Sequence, residues 1–309
     1  MCVEMRNAIG IDIGGTNIRV AVGDEKGRIF DMASERTDPR NMEKQLLRMI
    51  DSKKVDFDGI GIGSAGPLDS VNGIITNPPN MDIHDFRIVD ILRKRYDVEC
   101  TLLNDCIAAV YGEAARGAGK GLQNVAYVTI STGIGCGVIE SGKLLLGKDG
   151  NGHEMGHCGV DAEIRMKCGC GSMGRHWEAY ASGSHLPDFV KHMLSGKYKD
   201  AKTVLRGQQI TPKKFFELAA EDSTGAALLD ELGRINASGI ANVVNAYDPE
   251  LITLGGSVAL NNLKQVIDPI NEYVKDYAIN RVPKIIATPL GEDPVLVGAI
   301  AYALKILDV

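Results

Sequence analysis

A short motif near the start of the chain, Asp12-Ile13-Gly14-Gly15-Thr16-Asn17, has the residue types that a phosphate site requires. Gly14 and Gly15 lack Cβ atoms, so a phosphate can approach their main-chain N–H groups, and Thr16 adds a hydroxyl donor next to Asn17. Asp12 is suited to hold hydrated Mg²⁺ beside those phosphates. A plain glycine-rich turn explains the motif equally well when it is considered alone.

A second glycine-rich loop, Ser131-Thr132-Gly133-Ile134-Gly135-Cys136-Gly137, repeats this chemistry in the other half of the chain. Thr132 supplies a hydroxyl, and Gly133 and Gly135 expose main-chain donors. Two such loops facing one another would form a nucleotide cleft, so the pair is more specific than either motif. A third motif, Gly255-Gly256, would admit a flat adenine against the backbone, although a helix-opening turn explains it equally well.

Asn104 and Asp105 follow an apolar run and precede a helical pattern. In the first helical turn the helix dipole favours the Asp105 carboxylate, which can accept a proton from a hydroxyl that attacks a phosphate. The commoner explanation of an Asn-Asp pair at a helix start is N-capping. These residues alone leave both interpretations open.

Taken in order along the chain, these motifs resemble the ROK family of sugar kinases. The resemblance extends from about Ile9 to Ala303 and implies an actin-like ATPase fold with two lobes. It also implies ATP-dependent phosphorylation of a hexose at its 6-hydroxyl, Mg²⁺ with the nucleotide and, commonly, a homodimer. Under this resemblance Asp105 is interpreted as the catalytic base. The motifs that carry it are Asp12 to Asn17, Asn104-Asp105, residues 131–137, Glu154-Met155-Gly156-His157 and Cys168-Gly169-Cys170-Gly171.

The resemblance also implies a sugar pocket. Glu154 and His157 match a Glu-x-Gly-His motif whose carboxylate and imidazole bind sugar hydroxyls. A carboxylate that faces two adjacent hydroxyls discriminates a sugar from water. The substrate-binding residues implied are Ser64, Ala65, Gly66, Asn80, Asn104, Asp105, Glu154, His157 and Glu178.

The cysteine cluster departs from the family pattern. His157, Cys168 and Cys170 match three of the family's four zinc ligands, but the Cys that directly follows the glycine in C-x-C-G-x-x-G-C is missing. Here that glycine is followed by Arg175 and then His176, so one residue is inserted and His replaces Cys. We expect a structural Zn²⁺ on His157, Cys168, Cys170 and His176, since zinc accepts thiolate and imidazole. The alternative is a loop that folds without metal.

The elements that must position these residues form a duplicated α/β pattern. Apolar runs at 8–13 and 18–22 predict a strand meander, which 125–131, 138–139 and 144–146 repeat. Further strands are expected at 59–63, 98–103 and 251–254, and helices from 104 to about 117, at 213–221, 222–246 and 294–307. The repeat predicts two similar lobes with a central cleft, and the resemblance implies that they form a duplicated, ribonuclease H-like fold. The small lobe would comprise residues 1–116 plus 294–309 and the large lobe residues 117–293.

The amino-acid composition restricts the class of protein and the kinds of partner that it can bind. The chain has 309 residues, of which 44% are hydrophobic, and this fraction excludes a disordered protein. Its 34 basic and 40 acidic side chains give a net charge of −6, so neither nucleic acid nor an anionic membrane is expected as a partner. The odd number of cysteines, seven, argues against a disulfide framework, and neither a leader nor a membrane span is apparent. We therefore expect a cytoplasmic protein.

The function expected is that of a hexokinase using ATP and Mg²⁺. The sugar is either glucose or a 2-acetamido hexose such as N-acetylmannosamine, and the absence of Gly-Trp after the Pro-Asn segment at 77–84 weakens a glucose assignment. One alternative is a sugar-responsive ROK regulator, for whose helix-turn-helix the residues ahead of Asp12 leave no room. The other is a non-catalytic, actin-like nucleotide switch, against which the motif at 154–157 and Asp105 argue.

Overall fold

The computed structural model describes residues 5–78 and 81–307. Its strands are β1 (Asn7–Ile13), β2 (Asn17–Asp24), β3 (Ile29–Arg36), β4 (Gly59–Ser64), β5 (Leu68–Asp69), β6 (Ile74–Ile75), β7 (Glu99–Asn104), β8 (Val125–Ile130), β9 (Ile134–Glu140), β10 (Lys143–Leu144), β11 (Leu251–Gly255) and β12 (Lys284–Ala287). The α-helices are α1 (Met42–Asp51), α2 (Ile88–Tyr96), α3 (Asp105–Arg116), α4 (Glu178–Ala181), α5 (Leu186–Ser195), α6 (Pro212–Leu218), α7 (Ser223–Tyr247), α8 (Ser257–Asn261), α9 (Leu263–Tyr273) and α10 (Pro294–Ala303).

The same sheet design occurs twice. The first sheet has the order β3-β2-β1-β4-β7, in which β1, β2 and β3 are antiparallel neighbours and β4 and β7 run parallel to β1. The second sheet has the order β10-β9-β8-β11-β12, with an antiparallel pair β9–β10 at one end and a parallel pair β11–β12 at the other. The duplicated α/β pattern predicted from the sequence is confirmed.

Contacts divide the chain into two compact units. The first comprises the described residues of Met1–Tyr127, Gly137–His153 and Thr288–Val309, and the second comprises Val128–Cys136 and Glu154–Ala287. These bounds differ from those of the predicted lobes, chiefly because residues 137–153 group with the first unit. The lobe boundaries themselves stay a prediction. No helix among the described residues is both long enough and apolar enough to span a membrane.

In the first unit, α10 packs against the sheet through its apolar side chains. Leu296, Ile300 and Leu304 form a buried cluster with Ala8 of β1 and Ala21 of β2. Burial of such side chains is the main favourable term in folding. This packing fixes the strands whose ends carry the predicted phosphate turn.

The expected bounds differ most from the structure at β9 and α10. Gly135 and Gly137, expected in a loop ahead of a strand at 138–139, lie inside β9. A Cβ atom at Gly137 would lie 2.0 Å from the main-chain oxygen of Cys106, so the glycine permits the close approach of α3 to the strand. Helix α10 ends at Ala303 rather than 307, and Lys305 adopts a left-handed φ of 51° that cannot continue a helix.

Candidate active site

The carboxyl ends of three strands lie side by side at one edge of the first sheet. Ile13 of β1 is in register with Ser64 of β4, and Ser64 is in register with Asn104 of β7. Ligands of open α/β sheets bind at the carboxyl ends of strands. The sheet therefore brings together the predicted phosphate turn, the segment that begins at Ser64 and the start of α3 with Asp105.

The predicted phosphate turn connects β1 to β2. Gly14 N donates to Asn17 O at 3.0 Å, and Gly14 O accepts from the Thr37 hydroxyl at 2.6 Å. Thr37 N donates to Thr16 O at 2.9 Å, which fixes the turn from outside. Gly15, Thr16 and Asn17 are exposed. The turn is thus rigidly held while its tip is accessible, as an anion site requires.

Asp12 is paired with an arginine that sequence reasoning missed. Arg19, its partner in the β1–β2 ladder, donates to Asp12 Oδ2 from Nε at 3.0 Å and from Nη2 at 2.6 Å. Arg19 Nη1 donates to Asp293 at 2.8 Å. Burial raises the pKa of Asp12, and the attraction and hydrogen bonds of Arg19 oppose that rise. The signal in the sequence that could have identified this pair is the position of Arg19 directly across a short turn from Asp12.

Asn104 and Asp105 begin α3, as the sequence predicted. Asn104 Oδ1 accepts a hydrogen bond from Cys106 N at 2.9 Å, so Asn104 is the N-cap. Asp105 Oδ1 also accepts from Cys106 N, at 2.8 Å, and the Asp105 side chain is half-buried. Capping therefore explains Asn104, while Asp105 lies in the first turn, where the helix dipole favours its carboxylate.

The segment Ser64–Gly66 is held by main-chain and side-chain contacts. Ala65 N donates to Ile13 O at 3.3 Å. Just beyond the segment, Asn151 Oδ1 accepts from Leu68 N at 2.7 Å and Asn151 Nδ2 donates to Leu68 O at 2.6 Å. Sequence reasoning missed Asn151, because Gly-Asn-Gly by itself predicts only a turn.

In the second unit, the main chain of the second glycine-rich loop pairs with the segment that precedes α5. Gly183 N donates to Ser131 O at 2.7 Å, and Ser184 N donates to Thr132 O at 3.2 Å. Within the loop, Ser131 N donates to Gly133 O at 2.9 Å. These bonds hold the predicted phosphate loop in one conformation.

The predicted adenine motif packs against that same loop. Gly256 has a φ of +86°, and a Cβ there would lie 2.5 Å from Ile130 O, so a glycine is required at this position. The next residue, Ser257, begins α8, and its hydroxyl oxygen lies 3.3 Å from that of Ser131. The structure thus brings the two predicted nucleotide motifs of this unit together.

Glu178 connects the phosphate loop to the cysteine cluster. Its Oε2 accepts from Ile134 N at 3.0 Å, and a Cβ at Gly133 would lie 2.7 Å from the same oxygen. Its Oε1 lies 3.9 Å from Cys168 Sγ. Both contacts fix the carboxylate, whose role in binding sugar stays a prediction.

His157 lies between Glu154 and the cysteines. Its Nε2 is 3.9 Å from Glu154 Oε2, and its Nδ1 is 3.6 Å from Cys168 Sγ. Burial raises the pKa of Glu154, the neighbouring His157 opposes the rise, and the Glu178 carboxylate adds to it. One imidazole therefore belongs to both the predicted sugar motif and the predicted metal site.

The four predicted zinc ligands come together. The ligand atoms of His157, Cys168, Cys170 and His176 all lie within 4.8 Å of one another, and His176 Nδ1 is 3.3 Å from Cys170 Sγ. Zinc bonds of ~2.0–2.3 Å in a tetrahedron separate the ligand atoms by roughly 3.3–3.8 Å. The donor types therefore fit a zinc ion, and so do two of the separations, 3.6 Å from His157 Nδ1 to Cys168 Sγ and 3.3 Å from His176 Nδ1 to Cys170 Sγ.

The inserted residue is accommodated by the backbone. Arg175 adopts a left-handed φ of +57°, which is uncommon for a residue with a side chain. On either side of His176 the chain stays paired, because Val160 N donates to Arg175 O at 3.0 Å and Trp177 N donates to Cys158 O at 3.1 Å. The turn at Arg175 brings His176 into the cluster in place of the missing cysteine.

The predicted site residues fall into two sets. The first unit holds Asp12, Gly14, Gly15, Thr16, Asn17, Ser64, Ala65, Gly66, Asn104 and Asp105. The second unit holds Thr132, Gly133, Gly135, Glu154, His157, Cys168, Cys170, His176, Glu178, Gly255 and Gly256. Asn80 lies outside the described residues.

Comparisons with known proteins identify relatives along the whole chain. Residues 8–306 match the family model described as ROK family. A glucokinase of Pyrobaculum calidifontis is 36% identical over 302 residues, which cover 97% of this chain and 96% of that protein. An N-acetylmannosamine kinase of Yersinia pestis is 31% identical over 264 residues, covering 83% of this chain and 84% of that protein.

A solved structure is similar over nearly the same span. It is a ROK family glucokinase from Streptomyces griseus in complex with glucose and AMPPNP, with a TM-score of 0.81 and 31% identity. The match covers 97% of this chain and 99% of that one. The predicted actin-like ATPase fold is thereby confirmed.

Proposed function

The chain belongs to the ROK family, and from this membership we propose that it is an ATP-dependent hexokinase that phosphorylates glucose at the 6-hydroxyl. The observation that carries the proposal is the register of the first sheet. It aligns the turn Gly14–Asn17, the segment Ser64–Gly66 and Asp105 at one edge. A kinase needs a phosphate site, an acceptor site and a base within a short distance of each other. Relatives named as glucokinases support this assignment of the substrates.

We assign ATP to the glycine-rich motifs Gly14–Asn17, Thr132–Gly135 and Gly255-Gly256. Their main-chain N–H groups and the hydroxyls of Thr16 and Thr132 bind phosphate oxygens. Asp12 fits a magnesium site because both hydrogen bonds from Arg19 use Oδ2, and we assign Oδ1 to the water shell of the ion. Magnesium bound with ATP would offset negative charge on the phosphates.

Asp105 is the catalytic base in this proposal. The 6-hydroxyl must lose its proton as it attacks the γ-phosphate, and a positioned carboxylate accepts that proton. Two features of α3 support the role: Asn104 caps the helix, and Asp105 lies in the first turn, where the dipole favours a carboxylate.

Glu154 and His157 bind the sugar hydroxyls in this proposal. The carboxylate of Glu154 accepts hydrogen bonds from two adjacent hydroxyls, and His157 orients it from 3.9 Å. Glu178 fixes the loop at Ile134 and lies in the same part of the unit.

A 2-acetamido hexose is the second candidate for the substrate, supported by the N-acetylmannosamine kinase that is 31% identical over 83% of this chain. Glucose is preferred because the glucokinase relative is more similar and covers 97%.

We also propose a structural Zn²⁺ on His157, Cys168, Cys170 and His176, supported by their donor types and by the proximity of their ligand atoms. Four protein ligands close the coordination shell, so such a site stabilises and orients rather than catalyses. Since His157 would be a ligand, the ion would fix its ring beside Glu154. We propose further a homodimer, supported by the resemblance, and a cytoplasmic location, supported by the odd cysteine count. Light scattering after size-exclusion chromatography tests the dimer.

A coupled assay of ADP release tests the proposed function. Glucose, N-acetylmannosamine, N-acetylglucosamine, allose and fructose are compared at saturating Mg²⁺–ATP, and glucose is expected to give the highest kcat/KM. A higher value with a 2-acetamido hexose would move the assignment to the second candidate. Sugar binding in calorimetry without ADP release from any sugar would favour a non-catalytic ROK regulator, and ADP release that no sugar stimulates would favour a nucleotide switch.

A further inference from the structure

We propose that Asn151 is a positioning residue for the sugar site, which it orders by clamping the main chain of Leu68. The inference rests on the proposed function, since that proposal assigns the preceding segment, Ser64–Gly66, to the sugar. Asn151 is not assigned a contact with the sugar. Its contribution is to hold the strand-end segment in the conformation that binds.

The loop that carries Asn151 is closed at its base. It follows β10, where Leu145 N donates to Val138 O of β9 at 3.0 Å, and it closes through Gly152 N, which donates to Leu146 O at 3.1 Å. The ring Nε2 of His153 lies 2.8 Å from Leu145 O, and His153 holds a left-handed φ of 68°. A bulky residue keeps such a φ only where its surroundings determine it. The loop is therefore a fixed platform for Asn151.

Asn151 uses both ends of its amide on one residue. Oδ1 accepts from Leu68 N at 2.7 Å and Nδ2 donates to Leu68 O at 2.6 Å, although the two residues are 83 positions apart. Leu68 is only 2% exposed, so water cannot readily replace either bond. Only a side-chain amide of this length offers an acceptor and a donor in that arrangement. A second contact, from Ser70 N to Asp149 O at 3.2 Å, joins the same two segments.

The clamp adjoins residues assigned to the sugar. A Cβ atom built on Gly66 would lie 3.1 Å from Asn151 Oδ1 and 3.5 Å from Asn104 Nδ2. The Asn151 amide is thus packed against Gly66, on the side where the side chain of Asn104, the N-cap of α3, also lies. A shift of the Leu68 main chain would displace Gly66 and the residues before it. We therefore expect loss of the clamp to affect sugar more than ATP.

The test compares Asn151→Asp with Asn124→Asp. The first substitution keeps the acceptor for Leu68 N but replaces the donor to Leu68 O with a second oxygen, which repels it. The second is a matched control on another loop of the same unit, where Asn124 Oδ1 accepts from Ser141 N at 2.9 Å and Asp preserves that bond. Calorimetry measures glucose affinity without nucleotide, and steady-state kinetics give KM and kcat for both substrates.

Asn151→Asp is expected to weaken glucose binding by about tenfold or more and to leave the KM for ATP within about twofold. Hydrogen exchange should become faster in the peptide covering residues 64–76, and Asn124→Asp should change neither quantity. If Asn151→Asp does not fold, Asn151→Gln, which keeps the amide but displaces it by one methylene, is expected to act in the same direction.

A folded variant with faster exchange but unchanged glucose affinity would overturn the proposal, because the clamp would then be only structural. An unchanged hydrogen-exchange rate in residues 64–76 of Asn151→Asp would also overturn the proposal. A wild-type protein that neither binds nor phosphorylates a hexose would instead refute the proposed function. The wild-type measurement therefore distinguishes the two failures.

Discussion

The guanidinium of Arg19 binds Asp12 through a single carboxylate oxygen, Oδ2. Its Nε and Nη2 both donate to Oδ2, at 3.0 and 2.6 Å, while Nη1 donates to Asp293 at 2.8 Å. Burial lowers the pKa of Arg19, but the carboxylates of Asp12, Asp293 and Glu292 outweigh this effect, and the net shift is upward. The guanidinium stays charged and connects the phosphate turn to Asp293, the residue that precedes α10. A cation is thus already present beside the carboxylate assigned to magnesium.

Removing the Asp12 carboxylate should damage the ATP site specifically. In Asp12→Ala, Arg19 keeps its bond to Asp293, so we expect the fold to survive. Mg²⁺–ATP affinity should fall by about tenfold or more because the water shell of the ion loses its acceptor, whereas glucose affinity should persist. Calorimetry with each ligand measures both. Asp56→Ala, an exposed loop carboxylate of the same unit, is the control, and an unaltered ATP affinity and Mg²⁺ requirement in Asp12→Ala would contradict the assignment.

Asp105→Asn should separate chemistry from binding. The amide keeps the shape of the side chain but cannot accept the proton, so kcat should fall by roughly 10²-fold or more with KM for glucose little changed. Asp90→Asn is the matched control, since Asp90 also lies in the first turn of a helix in this unit and pairs with Arg87. Turnover within a few-fold of wild type would make Asp105 a capping residue and remove the base from the proposed mechanism.

The parts of this site that could be predicted are those encoded locally. The turn after β1 and the start of α3 each follow an apolar strand within a few residues, so glycines, Asn104 and Asp105 mark them directly. The duplication was visible for the same reason, because each meander is a continuous stretch of chain. Local patterns therefore predicted the duplicated α/β sheets, the glycine-rich turns and the start of α3, whereas the actin-like fold and the sugar-pocket residues were implied by the resemblance to the ROK family.

The parts that could not be predicted depend on contacts between distant segments. The bond from Arg19 to Asp293 spans 274 positions, and the bonds from Asn151 to Leu68 span 83. Neither pair belongs to a periodic pattern, so nothing in the sequence relates its members. Gly137 was misinterpreted for the same reason: it permits the approach of α3, which the sequence of β9 alone does not reveal.

Glucose affinity should depend on pH through Glu154. The Glu154 side chain is half exposed, and the partial loss of its hydration raises the pKa of the carboxyl above its ordinary value, with His157 opposing the rise and Glu178 adding to it. The proposed role requires the ionised form as acceptor, so in protein freed of zinc by a chelator glucose binding should weaken as the pH falls through the raised pKa, whereas Zn²⁺ on the neighbouring His157 would move this midpoint to lower pH. Calorimetric titrations across the acidic range measure this. Glu154→Gln should bind weakly with a flat profile, and an unchanged slope in that variant would assign the titration to another group.

Trp177 is buried against Gly239 of α7, and a larger residue at that position should destabilise the protein. A Cβ at Gly239 would lie 2.2 Å from Trp177 Cδ2, while Trp177 Nε1 donates to Asn236 at 2.8 Å on the same helix. Gly239→Ala should therefore lower the free energy of unfolding by about 1–3 kcal/mol through overpacking. Urea unfolding followed by fluorescence reports it directly, since the chain has one tryptophan. Ala226→Ser, at an exposed position of α7, is the control. If the urea midpoint of Gly239→Ala equals that of the control, the helix accommodates the added methyl group without a loss of stability.

His176 tests whether the departure from the family's cysteine pattern preserves a metal site. Protein purified without chelator should hold about one zinc per chain, because four protein ligands close the coordination shell. His176→Ala should lower the zinc content and weaken glucose binding more than ATP binding, since His157 contacts both Cys168 and Glu154. His192→Ala, an exposed histidine on α5, should change neither quantity. Metal analysis that finds no zinc in active wild-type protein would refute the site and leave Cys168 and Cys170 as ordinary thiols. Zinc loss without any change in glucose affinity would separate the metal from the orientation of His157.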